Sequence, residues 1–310
     1  MNILTVRGIS KSFGSHKIIE NLSFEVPEHS IFGFIGQNGA GKTTTMKMIL
    51  GLLPTDTGEI LVNGRKVTTG NNKTNGLIGY LPDVPEYYEY MTPKEYLMMC
   101  GRITGLDKKN VDKRANKMID MVGLSPYKKK IRGFSRGMKQ RLGIAQALLH
   151  KPKLLICDEP TSALDPLGRK EILDILSSVK EETTVLFSTH ILTDVERICD
   201  NIAFLNQGKI VLSGSLDEVK NSHKTSEIEI LFENEKDAEQ FLQTFPEGKQ
   251  NHTCLLRYTQ KCEEDSFIYM KYIAKHQLQI QKMEWLEPTL EDLFLEILKE
   301  NGKEEELKEK

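Results

Sequence analysis

Residues 36 to 43 of the chain read Gly36-Gln37-Asn38-Gly39-Ala40-Gly41-Lys42-Thr43. This stretch matches the pattern GxxxxGK[ST], in which glycines let successive backbone N–H groups turn inward around a phosphate. The apolar run Ile31 to Ile35 precedes it, and helical apolar spacing follows from Thr43 to Leu53. A chance glycine-rich turn would not account for this strand–loop–helix context. The stretch therefore predicts a phosphate-binding loop in an α/β fold.

Within this loop, two side chains have the chemistry that a nucleoside triphosphate requires. Lys42 can set its ammonium group against the β- and γ-phosphates, and Thr43 can set its hydroxyl on Mg²⁺. The helix that begins near Lys42 adds the positive end of its dipole. We expect the nucleotide to contact the whole run: Gly36, Gln37, Asn38, Gly39, Ala40, Gly41, Lys42, Thr43 and Thr44.

A second stretch, Leu154-Leu155-Ile156-Cys157-Asp158-Glu159, predicts an apolar strand that ends in two carboxylates. Beside a phosphate loop, a strand-end Asp is the usual second holder of Mg²⁺, which makes Asp158 the candidate metal ligand. Glu159 then remains free to orient or deprotonate the attacking water. The alternative is a pair of surface acids at the end of a strand.

Composition narrows the class of protein. The 310 residues carry 42 Lys and Arg against 44 Asp and Glu, a net charge of −2. The 39% hydrophobic content argues against disorder, and the length predicts roughly two domains. The near-neutral charge gives no drive toward nucleic acid, and no run reaches the roughly 18 apolar residues of a membrane helix. Without a signal-peptide core at the N-terminus, we expect a cytoplasmic chain with reduced cysteines.

The chain also divides by pattern. Thr92-Pro93-Lys94-Glu95 is a capping box that opens a helical region. A polar linker is predicted around Lys220 to Thr225, and beyond it the apolar spacing predicts a βαβαβ domain. We expect domains at residues 1–220 and 221–310, the latter ending in a charged tail from Gly302.

Several ordered motifs resemble those of the ATP-binding subunit of an ABC transporter, over about Ile3 to Lys220. They are Lys11-Ser12-Phe13-Gly14, the loop from Gly36 to Thr43, the strand from Lys153 to Asp158, Phe134-Ser135-Arg136-Gly137-Met138, Ser162-Ala163-Leu164-Asp165, and Ser188-Thr189-His190. The resemblance implies a P-loop NTPase cassette with a RecA-like core, an antiparallel β subdomain and a helical subdomain at about 84–150. A small C-terminal α+β domain follows.

The resemblance also implies residue roles. Phe13 would stack on adenine and His190 would contact the γ-phosphate as a catalytic residue beside Glu159 and Lys42. Ser135 and Gly137 would complete the ATP site of a second cassette, and Asp165 would cross the dimer interface. Considered alone, His190 could be an ordinary strand-end histidine, and Phe13 a core residue.

Three positions depart from the family pattern. Asp83 stands where the family usually has Gln; since a carboxylate can bind Mg²⁺, we expect Asp83 to keep a metal- and γ-phosphate-sensing role. Arg136 and Met138 replace the common Gly and Gln, a form similar to the exporter branch that includes drug, antibiotic-resistance and lipid-flipping cassettes. Arg136 either adds a cation near the incoming phosphate or is simply solvated.

The resemblance implies an ATP-hydrolysing subunit that uses ATP and Mg²⁺ and powers export by dimerising with a second cassette, in either a homodimer or a heterodimer. It would attach to the inner face of the cell membrane through a separate permease, which would dock on the aromatic and Met side chains near Tyr87, Tyr88 and Tyr90. The alternative for this surface is a subdomain core. Alternative functions are a non-transport ABC ATPase acting on ribosomes or DNA, and an importer cassette. Residues Glu287 to Phe294 resemble the closing helix of the exporter branch.

Overall fold

The structure, a computed structural model, describes residues 1–70, 73–125, 129–222, 227–259, 264–286 and 289–294. The chain forms two compact units, Met1–Leu216 and Asp217–Lys310. The predicted boundary falls after Lys220, but a helix, Leu216–Ser222, covers this position. Acidic residues in its first turn and Lys220 in its last complement the helix dipole, which favours helix over linker.

The first unit combines strands and helices in alternation. Its strands are β1 (Asn2–Phe13), β2 (His16–Pro27), β3 (Ile31–Gly36), β4 (Thr57–Val62), β5 (Arg65–Lys66), β6 (Ile78–Leu81), β7 (Leu154–Asp158), β8 (Thr184–Thr189), β9 (Asn201–Asn206) and β10 (Lys209–Ser215). Its helices are α1 (Lys42–Ile49), α2 (Pro93–Ile103), α3 (Lys108–Met121), α4 (Arg136–Ala147), α5 (Pro166–Val179) and α6 (Leu192–Ile198), and α7 (Leu216–Ser222) spans the boundary.

The six-stranded sheet has the order β10-β9-β3-β8-β7-β6. Strand β3 is parallel to β8 and β9, and β7 is parallel to β8 and β6, whereas β10 runs antiparallel to β9. Every residue of β3, β7 and β8 is buried, as expected for parallel strands covered on both faces. Their carboxyl ends meet at one edge of the sheet, where ligands bind in open α/β sheets.

A four-stranded antiparallel sheet, β2-β1-β4-β5, shares its core with the larger sheet. The ring of Phe24 on β2 stacks on Phe32 and Phe34 of β3, with centroid distances of 5.7 and 5.2 Å. These contacts place the hairpin of β1 and β2 beside the strand that leads into the phosphate loop.

Helices α2, α3 and α4 form the helical region predicted from Thr92. Thr92 Oγ1 accepts a hydrogen bond from Glu95 N, and Glu95 Oε2 accepts one from Thr92 N, so the predicted capping box is present. The side chain of Asp107 caps α3 in the same way. Helices α2 and α3 approach closely at Gly101, where a Cβ atom would lie 2.2 Å from Val111 Cγ2.

The second unit contains β11 (Glu227–Phe232), α8 (Glu235–Thr244), β12 (Lys249–His252), β13 (Leu255–Thr259), α9 (Glu264–His276) and β14 (Ile280–Leu286). Its antiparallel sheet has the order β12-β13-β11-β14, a split βαβ arrangement. The predicted βαβαβ pattern was wrong in omitting β12, because the edge strand Lys-Gln-Asn-His carries no apolar alternation. Phe241 packs at the centre of the aromatic core, against Tyr258 and Tyr269 among others.

The closing segment is described only in part. Residues 290–294 are helical, and Thr289 and Asp292 cap each other's backbone N–H groups. Glu287, Pro288 and the predicted charged tail lie outside the described residues. Among the residues the structure does describe, no helix is long and apolar enough to cross a bilayer. Cys100, Cys157, Cys199 and Cys254 are free thiols, and Cys262 falls outside the described ranges.

Candidate functional site

The predicted phosphate loop joins β3 to α1 at the carboxyl edge of the large sheet. Gly39 and Gly41 have φ values of +85° and +109°, which side chains other than glycine rarely adopt. A Cβ atom on Gly41 would also lie 2.4 Å from Ile19 Cδ1. No side chain caps the first N–H groups of α1, so the helix N-terminus offers its backbone donors to an anion.

Lys42 is buried under the loop, with 5% of its surface exposed. Its ammonium nitrogen donates hydrogen bonds to the carbonyl oxygens of Gly36 at 2.6 Å and Gln37 at 3.2 Å. The same nitrogen lies 3.1 Å from Glu159 Oε1, an ion pair without an aligned hydrogen bond. The loop thus holds the buried ammonium group of Lys42. The phosphate oxygens of a nucleotide would replace the carbonyl oxygens that it now contacts.

Thr43 and Asp158 meet across α1 and β7. Thr43 Oγ1 donates a hydrogen bond to Asp158 Oδ2 at 2.8 Å, and Ser188 Oγ donates one to Asp158 Oδ1 at 2.6 Å. Because Asp158 and Ser188 are both buried, the carboxylate is fixed in one orientation. The structure therefore brings together the hydroxyl and the carboxylate that the sequence singled out as magnesium ligands.

Glu159, buried like its neighbour, has a φ of +49°, a left-handed conformation that turns the chain sharply after β7. Its backbone N–H is held by Ser188, with both Oγ and the carbonyl oxygen at 3.1 Å. Its carboxylate lies between two groups: Oε1 faces Lys42, and Oε2 is 2.9 Å from His190 Nδ1. The His190 side chain is 44% exposed, so it borders the open side of the site.

Asp83 follows β6 at the same edge. Leu81 pairs with Cys157, so Asp83 lies just beyond the level of Asp158. Burial, followed by the charges of Asp158, Cys157 and Asp83, raises the pKa of the nearby Tyr80 hydroxyl to about 12. The neutral phenol of Tyr80 is therefore surrounded by acidic groups.

In the described part of the chain, no contact links the side chain of Asp83 to Thr43 or to Asp158. Instead, Arg136 Nη2 donates a hydrogen bond to Asp83 Oδ1 at 3.3 Å. The sequence left Arg136 either near a phosphate or solvated, and the structure shows a third arrangement, an ion pair within the chain.

Ser135, Gly137 and Asp165 line a different groove, of about 290 Å³, formed by the starts of α4 and α5. Ser135 Oγ accepts from Met138 N and Asp165 Oδ1 accepts from Gly168 N, so both residues cap a helix. No residue of the phosphate loop lines this groove in the described structure. Within one chain, the predicted ATP contacts in the phosphate loop and those in this groove therefore lie at two separate places.

Phe13 ends β1 with its ring 52% exposed, so it is not a core residue. The ammonium of Lys11 lies 5.6 Å from the ring centroid and is itself bonded to Asp56. A hydrogen bond from the Lys11 ammonium, followed by one from Ser12 N, lowers the pKa of the Asp56 carboxyl. The ring is available for stacking at the surface.

Comparison with known proteins identifies the family. The chain is 45% identical over 225 residues to the ABC transporter ATP-binding protein YxlF of Bacillus subtilis, covering 72% of this chain and 75% of that protein. It belongs to the ABC transporter ATP-binding subunits. It is also 39% identical to the bacitracin transport ATP-binding protein BcrA of Bacillus licheniformis, covering 72% of each chain.

Family models and a solved structure extend this result to both parts of the ABC subunit. Residues 19–162 match the ABC transporter family, and residues 214–298 match the C-terminal domain of DrrA1-3-like ATP-binding proteins. A solved ATP-binding subunit of an ABC transporter superimposes with a TM-score of 0.64 at 32% identity, covering 71% of this chain and 92% of that one. The expected α/β cassette fold, its ATPase activity and its likeness to the drug-exporter branch are thus confirmed.

Sequence reasoning did not assign a role to Ser188 in this ABC ATPase. Its Oγ donates a hydrogen bond to the Asp158 carboxylate and accepts one from the backbone N–H of Glu159. A signal was available, because Ser188 is the next-to-last residue of β8, the strand next to β7, and lies two residues before His190. Neighbouring parallel strands bring their carboxyl ends to the same edge of a sheet, which predicts that Ser188 lies near Asp158.

Proposed function

We propose that this ABC ATPase is the motor of an exporter and works as a pair of cassettes that closes on ATP and reopens after hydrolysis. The observation that carries the proposal is the separation of the groove at Ser135, Gly137 and Asp165 from the phosphate loop within one chain. A second copy, presenting its groove to the phosphates, would supply the missing helix N-terminus. The likeness to BcrA and to the DrrA1-3-like domain supports export rather than import.

In the proposed site, ATP replaces the internal partners of Lys42. The ammonium turns from the carbonyl oxygens of Gly36 and Gln37 to the β- and γ-phosphates, and the N–H groups of residues 36 to 44 surround them. The exposed Phe13 ring stacks on adenine. Binding thus uses donors that the fold has already desolvated.

Hydrolysis follows from the position of Glu159. Its carboxylate accepts a proton from water while the water oxygen bonds to the γ-phosphorus and the bond from phosphorus to the ADP oxygen breaks. Lys42 shifts toward the phosphates, leaving Glu159 held by His190 through Oε2 and by Ser188 through its backbone. His190, on the open side, also reaches the γ-phosphate.

The residues present fit Mg²⁺. Thr43 Oγ1 and Asp158 Oδ2, 2.8 Å apart, are hard oxygen donors, and nucleotide-bound Mg²⁺ commonly takes only one or two protein ligands. When bound, the ion neutralises charge on the β- and γ-phosphates. Ser188 keeps the Asp158 carboxylate turned toward Thr43. Asp83 is not included in this set, because its side chain pairs with Arg136.

The proposed permease docks on the surface after β6. Val84, Tyr88 and Tyr90 are 67%, 52% and 64% exposed, an apolar patch on one short segment. Aromatic side chains are enriched at protein interfaces. Docking there would hold the chain on the inner face of the membrane, with its ATP site in the cytoplasm.

Two measurements test the proposal. A Glu159→Gln variant should form a dimer at saturating ATP and Mg²⁺ and remain monomeric with ADP, as read by light scattering after gel filtration. The chain, co-expressed with a candidate membrane subunit, should co-purify with that subunit and raise resistance of the host to antibiotics that include bacitracin. A monomer at saturating ATP, or sedimentation with ribosomes in place of a membrane subunit, would contradict the proposal.

A further inference from the structure

Arg136 and Asp83 form an ion pair at the edge of the groove that the proposed dimer uses. Arg136 is the first residue of α4, next to the cap Ser135, and its guanidinium lies 3.3 Å from Asp83 Oδ1. The side chains are 44% and 47% exposed. An ion pair this exposed contributes little stability, so a stronger partner can displace Asp83.

The main chain around Asp83 is fastened independently of this ion pair. Gln140, which is fully buried in α4, donates a hydrogen bond from Nε2 to the Asp83 carbonyl oxygen at 2.8 Å. Tyr87 donates its hydroxyl to the Lys139 carbonyl oxygen at 2.6 Å. The Asp83 side chain can therefore release Arg136 while its backbone stays on α4.

Arg136 also lines the groove of Ser135, Gly137 and Asp165. A guanidinium group is always protonated and has a planar array of donors that fits phosphate oxygens. A phosphate bound at the N-terminus of α4 would therefore lie beside the Arg136 guanidinium, which Asp83 holds at that end of the helix. A phosphate carries more charge than one carboxylate and offers more acceptors, so it is the stronger partner.

We infer that Arg136 is a phosphate-binding residue of the site shared between two copies, and that Asp83 is the partner that it leaves. In the single chain, Asp83 neutralises the guanidinium. When the groove closes on ATP bound by a second copy, Arg136 moves to the phosphates and the Asp83 carboxylate becomes free at the sheet edge next to Asp158. This inference rests on the proposed dimer and adds to it a residue and an exchange of partners.

The test measures ATP-induced dimerisation of the full chain in the Glu159→Gln background. Arg136→Gln should weaken the dimer about tenfold or more, because it removes a charged hydrogen bond to phosphate. Asp83→Asn should strengthen it about two- to fivefold, because an exposed ion pair no longer competes. In the Arg136→Gln, Asp83→Asn double variant, the gain from Asp83→Asn should disappear, since no guanidinium remains to be released.

Lys139→Gln is the matched control, because it removes one positive charge from the same helix, and in the described part of the chain its ammonium pairs with Glu89 alone. It should leave the dimerisation constant unchanged. The inference is overturned if Arg136→Gln dimerises as the parent does, or if Asp83→Asn strengthens the dimer equally without Arg136. A parent that does not dimerise with ATP would overturn the proposed function itself, and this inference with it.

Discussion

His190 Nδ1 lies 2.9 Å from Oε2 of Glu159, so that an exposed imidazole touches a buried carboxylate. The other carboxylate oxygen lies 3.1 Å from Lys42 Nζ. One acid is therefore held between the lysine of the phosphate loop and a histidine on the open side of the site. This arrangement orients the Glu159 carboxylate before any substrate enters. Substituting Glu159 is therefore the most direct test of the predicted base.

Replacing Glu159 with Gln should abolish turnover while sparing ATP binding. The amide keeps the size of the side chain, and the backbone N–H of residue 159 keeps its hydrogen bond to Ser188 Oγ. The amide cannot accept the water proton, so kcat should fall by about 10²- to 10⁴-fold. Steady-state phosphate release gives the rate, and a fluorescent ATP analogue gives the affinity. Turnover equal to that of the parent would exclude Glu159 as the base.

Replacing Ser188 with Ala should lower kcat about 10- to 100-fold with a smaller effect on ATP affinity. The change removes the donor to Asp158 Oδ1 and one acceptor of the Glu159 N–H, which leaves the buried carboxylate less well fixed. Ser178→Ala is a suitable control, because it also removes a hydroxyl donor, in this case to the Ile175 carbonyl oxygen on α5, away from the site. Equal rates for the two variants would show that Ser188 has no positioning role.

The local and periodic features of this cassette were predictable from sequence. The phosphate loop, the strand that ends in Asp158, and the capping box at Thr92 each depend on neighbours within a few residues. The fixed GxxxxGK[ST] spacing determined both the loop and its flanking elements. Burial of β3 and β7 followed from their continuous apolar runs.

Contacts between distant residues were not predictable in the same way. Asp83 and Arg136 are 53 residues apart, and Tyr87 meets the Lys139 carbonyl across 52 residues. No period or motif encodes such pairings, which depend on how the segment after β6 lies along α4. Strand β12 was missed for a different reason, because its polar residues lie at a sheet edge and have no buried face to mark them.

Replacing Lys42 with Met should abolish ATP binding and also destabilise the protein without ATP. The buried Glu159 would lose the cation facing Oε1, and breaking a buried pair from one side costs about 3 kcal/mol. Adding Glu159→Gln should recover most of the free energy of unfolding, since the remaining charge is then removed, but should not restore ATP binding. Urea unfolding of the parent, both single variants and the double variant measures this recovery. Additive losses would show that Lys42 and Glu159 do not stabilise each other.

Replacing Tyr88 and Tyr90 with Glu should abolish co-purification with the membrane subunit while leaving ATP affinity unchanged. Both rings are more than half exposed and pack only loosely on each other, with centroids 6.0 Å apart, so charging them disturbs a surface and not a core.

Tyr87 differs from its neighbours: its hydroxyl bonds to the Lys139 carbonyl oxygen, its ring meets Tyr96 edge-on, and burial raises its pKa. The expectation that Tyr87 docks the permease is therefore replaced by a role within the helical region. Tyr87→Phe, which loses only the hydroxyl, should lower stability by about 1 kcal/mol and retain the membrane subunit. Affinity capture of the tagged chain from detergent extracts compares the variants, and recovery of the membrane subunit with Tyr88→Glu and Tyr90→Glu combined would place the docking surface elsewhere.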